Sequence, residues 1–236
     1  MEPSLLAARS AILSAADNQA VIANNLANVK TTSFKKSLQL QTDLNVPGTR
    51  IAAVRADFSD GSSAPTNRNL DVAIQGDGFF QIDINGAVGY TRAGAFTLDG
   101  EGNLVTPQGY FVEPQIAVPE NAEAVIRPDG RVFAREDDGT VTEIGQLEAV
   151  RFPNNHGLLH IGDGLFKQGP NSGDPVTGEF GDDDFPTLLP AHLEEANVDL
   201  AEEFTSQIVN QRWFQTNARV FQATEGLIGE AIDLVR

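Results

Sequence analysis

Cysteine is absent from the 236 residues, so the chain forms no disulfide and offers no thiolate for nucleophilic or metal chemistry. It also lacks any run of 18 or more apolar residues, so no segment is expected to insert into a membrane. The N-terminal stretch MEPSLLAARSAILSAADNQ has no basic leader and no unbroken apolar core, so we expect no cleaved secretory signal. These absences fit either the cytoplasm or an export route that avoids oxidative folding.

Basic residues are scarce: 16 stand against 33 acidic ones, which gives a net charge of −17. The acidity lies in the middle of the chain, where residues 46–195 carry 9 basic and 24 acidic side chains. Because phosphate contacts need Lys and Arg, this balance argues against a nucleic-acid partner. An acidic surface keeps a protein soluble, and attraction to a basic partner is the alternative reading.

Both ends of the chain predict long helices with a seven-residue apolar repeat. Residues 3–27 are rich in Ala, Leu and Ile, and residues 197–236 predict a helix of about 38 residues with Asn197 as its N-cap. The repeat is carried by pairs of neighbouring residues seven apart, among them Leu5-Leu6, Ile12-Leu13, Trp213-Phe214, Val220-Phe221 and Leu227-Ile228. We therefore predict that the two helices pack together as one discontinuous coiled-coil domain.

The middle of the chain predicts an all-β domain, since residues 46–190 hold eleven of the twelve prolines and most glycines. Asn85-Gly86 between two apolar runs predicts a hairpin with a type I′ turn, and DGEG at 99–102 predicts another. Residues 162–190 show few strand signals and predict an irregular excursion. The predicted fold is α+β, with domain limits 1–35 (N-terminal helix), 36–69 (connector), 70–192 (β domain) and 193–236 (C-terminal helix).

The polar faces of the predicted helices carry amides where an exposed coiled coil would usually carry Glu and Lys. Amides donate and accept hydrogen bonds without the desolvation cost of a charge. A face made of amides can therefore be buried against other subunits, while chance composition with ordinary capping is the alternative. The amides of the two helices include Asn18, Gln19, Asn24, Asn25, Asn28, Gln207, Asn210, Gln211, Gln215, Asn217 and Gln222.

Nothing in the sequence predicts catalysis, a cofactor or a metal. His156 and His160 are four residues apart, but the Asn and Gly residues around them indicate a loop, and no third ligand is evident. The segment DGEGN at 99–103 lacks the glycine and glutamate of a calcium loop, so a hairpin turn explains it better. The sequence contains no GxSxG motif and no phosphate-binding loop.

Three stretches together resemble the bacterial flagellar rod and hook protein family. They are ANNLANVKTTSFKK at 23–36, LDVAIQGDGFFQI at 70–82 with YTRAGAFTLDGEGNLVTPQGYFV at 90–112, and LEEANVDLAEEFTSQIVNQRWFQTNARVFQATEGLI at 193–228. Within the family, IAVPENAEAVIRPDG, IGQLEAVRF and GLFKQGPNSGDP most resemble the distal rod type. Ser33 stands where the family usually has glycine, and Trp213-Phe214 replaces a common Ala-Tyr. The connection from Lys36 to Ile51 is shorter than distal rod members usually have, so a proximal rod or hook-type subunit is the alternative.

The resemblance implies a structural subunit with no enzymatic activity. Such subunits stack helically into a hollow rod that transmits torque from motor to hook, in the periplasmic part of the basal body. The implied partners are copies of the chain, adjacent rod and hook proteins, the flagellar export apparatus and surrounding ring proteins. A secreted acidic β-domain adhesin is the rival outside the family, and an acidic glycosidase is a weaker one; neither needs matched apolar repeats at both ends.

Two sets of residues carry these expectations. The seam between the helices is predicted to use Leu5, Ile12, Leu26, Phe214, Phe221 and Ile228. Contacts between subunits are predicted for Asn24, Asn25, Asn28, Lys35, Gln211 and Asn217. Because the helices gain most of their stability from apolar burial, we expect the ends of an isolated chain to fray around a folded β domain.

Overall fold

The structure, a computed structural model, describes residues 2–43, 49–120, 122–136 and 139–233. Along the chain, one long helix precedes a β-rich middle and a second long helix follows it, so the α+β prediction is confirmed: α1 spans Glu2–Ala27 and α2 spans Leu200–Asp233. The strands are β1 Ser37–Asp43, β2 Thr49–Ala56, β3 Ser63–Pro65, β4 Val72–Gln75, β5 Phe79–Ile84, β6 Ala87–Thr91, β7 Thr97–Leu98, β8 Leu104–Val105, β9 Phe111–Glu113, β10 Ala122–Ile126, β11 Arg131–Glu136, β12 Val141–Gln146, β13 Glu148–Arg151, β14 Leu159–Gly162, β15 Leu165–Lys167, β16 Val176–Glu179, β17 Thr187–Pro190 and β18 His192–Glu194.

The chain forms two compact units. The first, here called the helical unit, comprises Met1–Val29, Lys36–Asp57 and Val198–Arg236. The second, here called the β body, comprises Lys30–Lys35 and Phe58–Asn197. The domain limits predicted from the sequence stay predictions.

In the helical unit, α1 and α2 contact each other in an antiparallel arrangement. Asn25 of α1 bonds Glu203 near the start of α2, whereas Asn18 bonds Asn210 further along it. The two strands β1 and β2 form an antiparallel hairpin that also contacts α1. This hairpin occupies part of the segment that was predicted to be a plain connector. The coiled coil itself stays a proposal.

The β body is built on antiparallel strands. Its largest sheet runs in the order β14-β15-β6-β5-β9-β8-β7, and β13 pairs with both β5 and β16. The turn between β5 and β6 has φ of 55° at Asn85 and 87° at Gly86, as a type I′ turn requires, so the predicted hairpin is confirmed. The pair β7–β8 confirms the second predicted hairpin.

Buried phenylalanines form two groups in the core of the β body. The ring of Phe80 meets the edge of Phe96 at 5.0 Å and lies 5.5 Å from Phe180, and all three are fully buried. A second group of rings surrounds Phe79, which packs within 6 Å of Phe58 and Phe166. Such buried aromatic pairs add specific packing to the apolar area removed from water, so they give the β body a rigid interior.

Two local predictions were wrong. Residues 162–190 are not irregular, because they contain β15, β16 and β17. Helix α2 is capped by Asp199 rather than Asn197: the Asp199 Oδ1 accepts hydrogen bonds from the backbone N–H of Ala201 at 2.7 Å and of Glu202 at 3.2 Å. Asn197 instead donates to the carbonyl of Ser59.

Within the described residues, neither helix has a long enough apolar window to span a lipid bilayer.

Candidate assembly interface

A buried asparagine fixes the register of the two helices. Asn210 of α2 is 7% exposed, and its Nδ2 donates to the carbonyl of Ala15 at 2.9 Å and to the Gln19 Oε1 at 3.2 Å. Its Oδ1 accepts a hydrogen bond from the Asn18 Nδ2 at 3.3 Å. A buried amide satisfied on both sides tolerates only one alignment of the helices, because a shift would leave its polar atoms without partners.

A second buried amide joins three elements of the helical unit. Asn25 of α1 donates to the Glu203 Oε1 at 3.2 Å and to the Ser37 carbonyl at 3.0 Å. Its Oδ1 accepts a hydrogen bond from the backbone N–H of Ser37 at 2.8 Å. Asn25 therefore ties α1 both to α2 and to the start of β1.

Helix α2 leaves two apolar stripes exposed. At about 100° per residue, Glu203 and Asn210 lie on the side that contacts α1. Each stripe lies about a quarter to a third of a turn away from that side, in opposite directions. The exposed residues are Leu200, Phe204 and Ile208 in one stripe and Val209, Trp213, Val220 and Leu227 in the other.

Helix α1 and the hairpin add further exposed apolar side chains. Leu6 and Leu13 lie seven residues apart on the side of α1 away from its buried Ala8, Ala15 and Ile22. Leu38, Leu40 and Val54 of the hairpin are also exposed. A groove of about 610 Å³ between the helices is lined by Ala15, Gln19, Gln211 and Phe214, among others. Exposed apolar surface of this kind is typical of sites of protein association.

Most of the predicted seam residues are half-buried. Leu5, Ile12 and Leu26 of α1 are half-buried, and so are Phe221 and Ile228 of α2, whereas Phe214 is exposed and lines the groove. The fully buried apolar positions of α1 are the small Ala8 and Ala15 together with Ile22. Small residues let the helices approach closely, so the large side chains flank the contact.

The residues predicted to contact other subunits separate into two groups. Asn24 and Gln211 are exposed, Asn28 donates to the Asn24 carbonyl at 2.9 Å, and Asn217 donates to the Trp213 carbonyl at 2.9 Å. Asn25 and Lys35 are buried and bonded within the chain. Lys35 Nζ lies 2.6 Å from the Glu194 Oε1, so we leave Asn25 and Lys35 out of any contact between subunits.

The two histidines whose spacing suggested a metal site lie in different elements. His156 is in a short 3-10 turn, whereas His160 is on β14 with its ring 5.3 Å from that of Phe166. Burial lowers the pKa of His160 below its ordinary value, against the weaker opposing effect of Asp163. Across the described ranges, no cluster of three or more His, Cys, Asp or Glu side chains is arranged to hold a metal ion.

Comparison with known proteins shows the family to which the chain belongs. A family model described as the flagellar hook protein FlgE/F/G D1 domain matches residues 73–134, and one described as the flagellar basal body rod FlgEFG protein C-terminal matches residues 189–234. The flagellar basal-body rod protein FlgG of Agrobacterium fabrum is 37% identical over 235 residues, which cover 88% of this chain and 90% of the relative. The chain belongs to the flagellar basal-body rod protein family.

Other rod proteins match over as much of the chain. FlgG of Bacillus subtilis is 36% identical, with 92% of each chain covered. The rod protein FlgF of Salmonella typhimurium is 30% identical over 100% of this chain and 99% of the relative. The resemblance inferred from the three sequence stretches is thus confirmed, and the matched range 189–234 includes both apolar stripes of α2.

Rod proteins are structural proteins, and the family is not known to be enzymatic. The chain is accordingly a structural component of the flagellar basal-body rod. Sequence reasoning missed Phe204, Ile208 and Val209, which form much of the exposed surface. Their signal was the spacing of four residues from Leu200 to Phe204 to Ile208 and from Val209 to Trp213.

Proposed function

We propose that the chain is a distal rod subunit whose helical unit packs against copies of itself to form a hollow, helically assembled shaft. The observation that carries the proposal is the exposure of apolar side chains on two sides of α2 and on the outer side of α1. A helix pair with three apolar stripes fits an environment in which neighbours cover it on several sides. The β body, by contrast, buries its aromatic core within itself.

The shaft would transmit torque from motor to hook, because long helices that contact several neighbours resist twisting through a large lateral interface. Gln211 and Phe214 at the groove and the exposed Asn24 are proposed contacts with neighbouring subunits. Adjacent rod and hook proteins are the proposed neighbours at the two ends of the stack. Passage through the flagellar export apparatus, a periplasmic position and contact with the surrounding rings are expectations that come from the family.

The distal position rests on the FlgG names of relatives that are 31–37% identical. A proximal position is the second candidate because the connection from Lys36 to Ile51 is short. Imaging a tagged copy along isolated basal bodies separates the two. A tag near the hook end supports the distal assignment, and a tag near the motor end replaces it with the proximal one.

A matched pair of triple variants tests the assembly surface. Ile208→Gln/Val209→Gln/Trp213→Gln changes α2 side chains that are 54–61% exposed, and Val141→Gln/Leu159→Gln/Val176→Gln changes β-body side chains that are 50–53% exposed. If neighbours bury the α2 side chains, their loss removes about 3 kcal/mol or more per subunit, so the critical concentration rises about a hundredfold.

Sedimentation velocity and electron microscopy of the full-length chain measure that concentration. We expect the β-body triple variant to assemble like the wild type. The opposite pattern, assembly lost in the β-body variant and kept in the α2 variant, would remove the helical unit from the interface and favour an adhesin-like surface on the β body.

A further inference from the structure

Three charged side chains are almost completely buried together in the β body, where the proposed assembly surface makes no use of them. Arg92, Glu194 and Lys35 are 1%, 2% and 5% exposed. The Glu194 Oε1 accepts hydrogen bonds from the Lys35 Nζ at 2.6 Å and from the backbone N–H of Gly61 at 3.0 Å. The Glu194 Oε2 accepts a hydrogen bond from the Arg92 Nε at 3.1 Å. With Asp60, these residues are called the ion cluster here.

Arg92 satisfies the rest of its guanidinium inside the β body. Its Nη1 donates to the carbonyls of Gly76 at 3.0 Å and Gly78 at 3.1 Å, and its Nη2 donates to the Asp60 Oδ1 at 2.8 Å. Arg92 directly follows β6, so it fixes the ion cluster to the largest sheet. A buried charge with all its donors engaged has one favourable geometry.

The charges of the ion cluster balance. Burial alone would raise the pKa of Glu194, but the nearby Arg92 and Lys35 outweigh it and lower that pKa, so Glu194 is ionised. Burial and the neighbouring Arg92 lower the pKa of Lys35 below its ordinary value, while Glu194 opposes the change. Two cations and two carboxylates therefore neutralise one another, and loss of any one leaves a buried charge without compensation.

The ion cluster stands where the chain enters and leaves the β body. The chain passes between the two units after residues 29, 35, 57 and 197. Lys35 is the last residue before the chain leaves the β body after residue 35. Asp60 is the third residue after the chain returns at residue 58, and Glu194 is the fourth residue from the end of the β body. The stretches of the β body next to these passages, residues 30–35, 58–62 and 194–197, are called the linking segments here, and each of them contributes a residue to the ion cluster.

Backbone hydrogen bonds join the same segments to one another. The Ser33 N–H donates to the Glu194 carbonyl at 2.8 Å, the Glu195 N–H to the Ser62 carbonyl at 2.7 Å, and the Asn197 N–H to the Phe34 carbonyl at 3.3 Å. These three amides, here called the linker amides, report on whether the segments are held in place.

We propose that the ion cluster is the anchor that holds all the linking segments to the main sheet of the β body. Lys35 and Glu194 then act as positioning residues that hold the linking segments in place, and removing one charge frees all of these segments together. Anchoring goes beyond the proposed assembly role, and it can be measured on the unassembled chain.

Hydrogen exchange of the full-length, unassembled chain tests the anchor with Lys35→Met and the matched control Lys30→Met. Met keeps much of the length of Lys but removes the ammonium group, and Lys30 is an exposed lysine five residues away. In Lys35→Met we expect the linker amides to exchange about a hundredfold faster, with the amides of β5 and β6 unchanged. In Lys30→Met all of these rates should stay at the wild-type values.

A second variant, Glu194→Gln, removes the carboxylate shared by both cations, so the linker amides should exchange faster still. Unchanged linker amides in both variants would overturn the anchor. Acceleration that spreads equally to β5 and β6 would also overturn it, because the ion cluster would then support the whole β body rather than the linking segments. Assembly plays no part in this measurement, so a failure of the assembly proposal leaves its result intact.

Discussion

Ser33 adopts a backbone conformation that few L-amino acids adopt, with φ of 54°. Its side chain is buried and its Oγ donates to the Arg92 carbonyl at 3.1 Å. Glycine reaches this left-handed region without strain, whereas a residue with a side chain does not. The serine therefore accepts a strained backbone and gains a hydrogen bond beside the ion cluster.

Substituting Ser33 separates these two effects. Ser33→Ala loses the hydrogen bond and keeps the strain, so it should lower the free energy of unfolding by about 1 kcal/mol. Ser33→Gly loses the same bond but relieves the strain of about 1–2 kcal/mol, so it should be more stable than Ser33→Ala. Urea unfolding followed by far-ultraviolet circular dichroism measures the order. An alanine variant as stable as the glycine variant would show that the conformation carries no strain.

Single residues also show where sequence reasoning reaches its limit. Lys35 stands among other polar residues and suggested an outward contact, yet its partner Glu194 is 159 residues away along the chain. No local spacing reveals a pair that only the folded β body brings together. Arg92 was equally hidden, because a single arginine after a strand usually points to solvent.

At the scale of elements, periodicity predicted more. The seven-residue repeats located both helices, and Asn85-Gly86 located the β5–β6 hairpin, because each signal is local and has a direct physical cause. The β1–β2 hairpin was missed although Leu38 and Leu40 alternate with glutamines, since its apolar side chains face outward. Strands β15 to β17 were missed because they are short and because glycines and prolines stand in or next to them.

The cap of α2 gives a prediction for this element. Asp199→Ala removes the acceptor of two N–H groups in the first turn, so it should destabilise the start of α2 by about 0.5–2 kcal/mol. Asp199→Asn keeps an acceptor and loses only the favourable charge, so its effect should be smaller. Thermal unfolding at 222 nm checks both variants. Equal stability of Asp199→Ala and the wild type would mean that water replaces the cap without cost.

At the scale of the whole molecule, the two units differ in what they bury. The β body buries phenylalanines such as Phe79, Phe80 and Phe96, whereas the helical unit exposes Phe204, Ile208, Val209 and Trp213 along α2. An isolated pair of helices with so much uncovered apolar surface gains little from burial to offset the entropy of ordering. Membership in a family of rod proteins supplies the reason, since neighbouring subunits can provide the missing contacts.

Hydrogen exchange along α1 and α2, in the dilute chain and in the assembled polymer, tests this central claim most directly. We expect the helix amides of the dilute chain to exchange far faster than those of β5 and β6, and assembly to slow them about a hundredfold or more. Helices that are already protected like the β body in the dilute chain, and that do not change on assembly, would contradict the account.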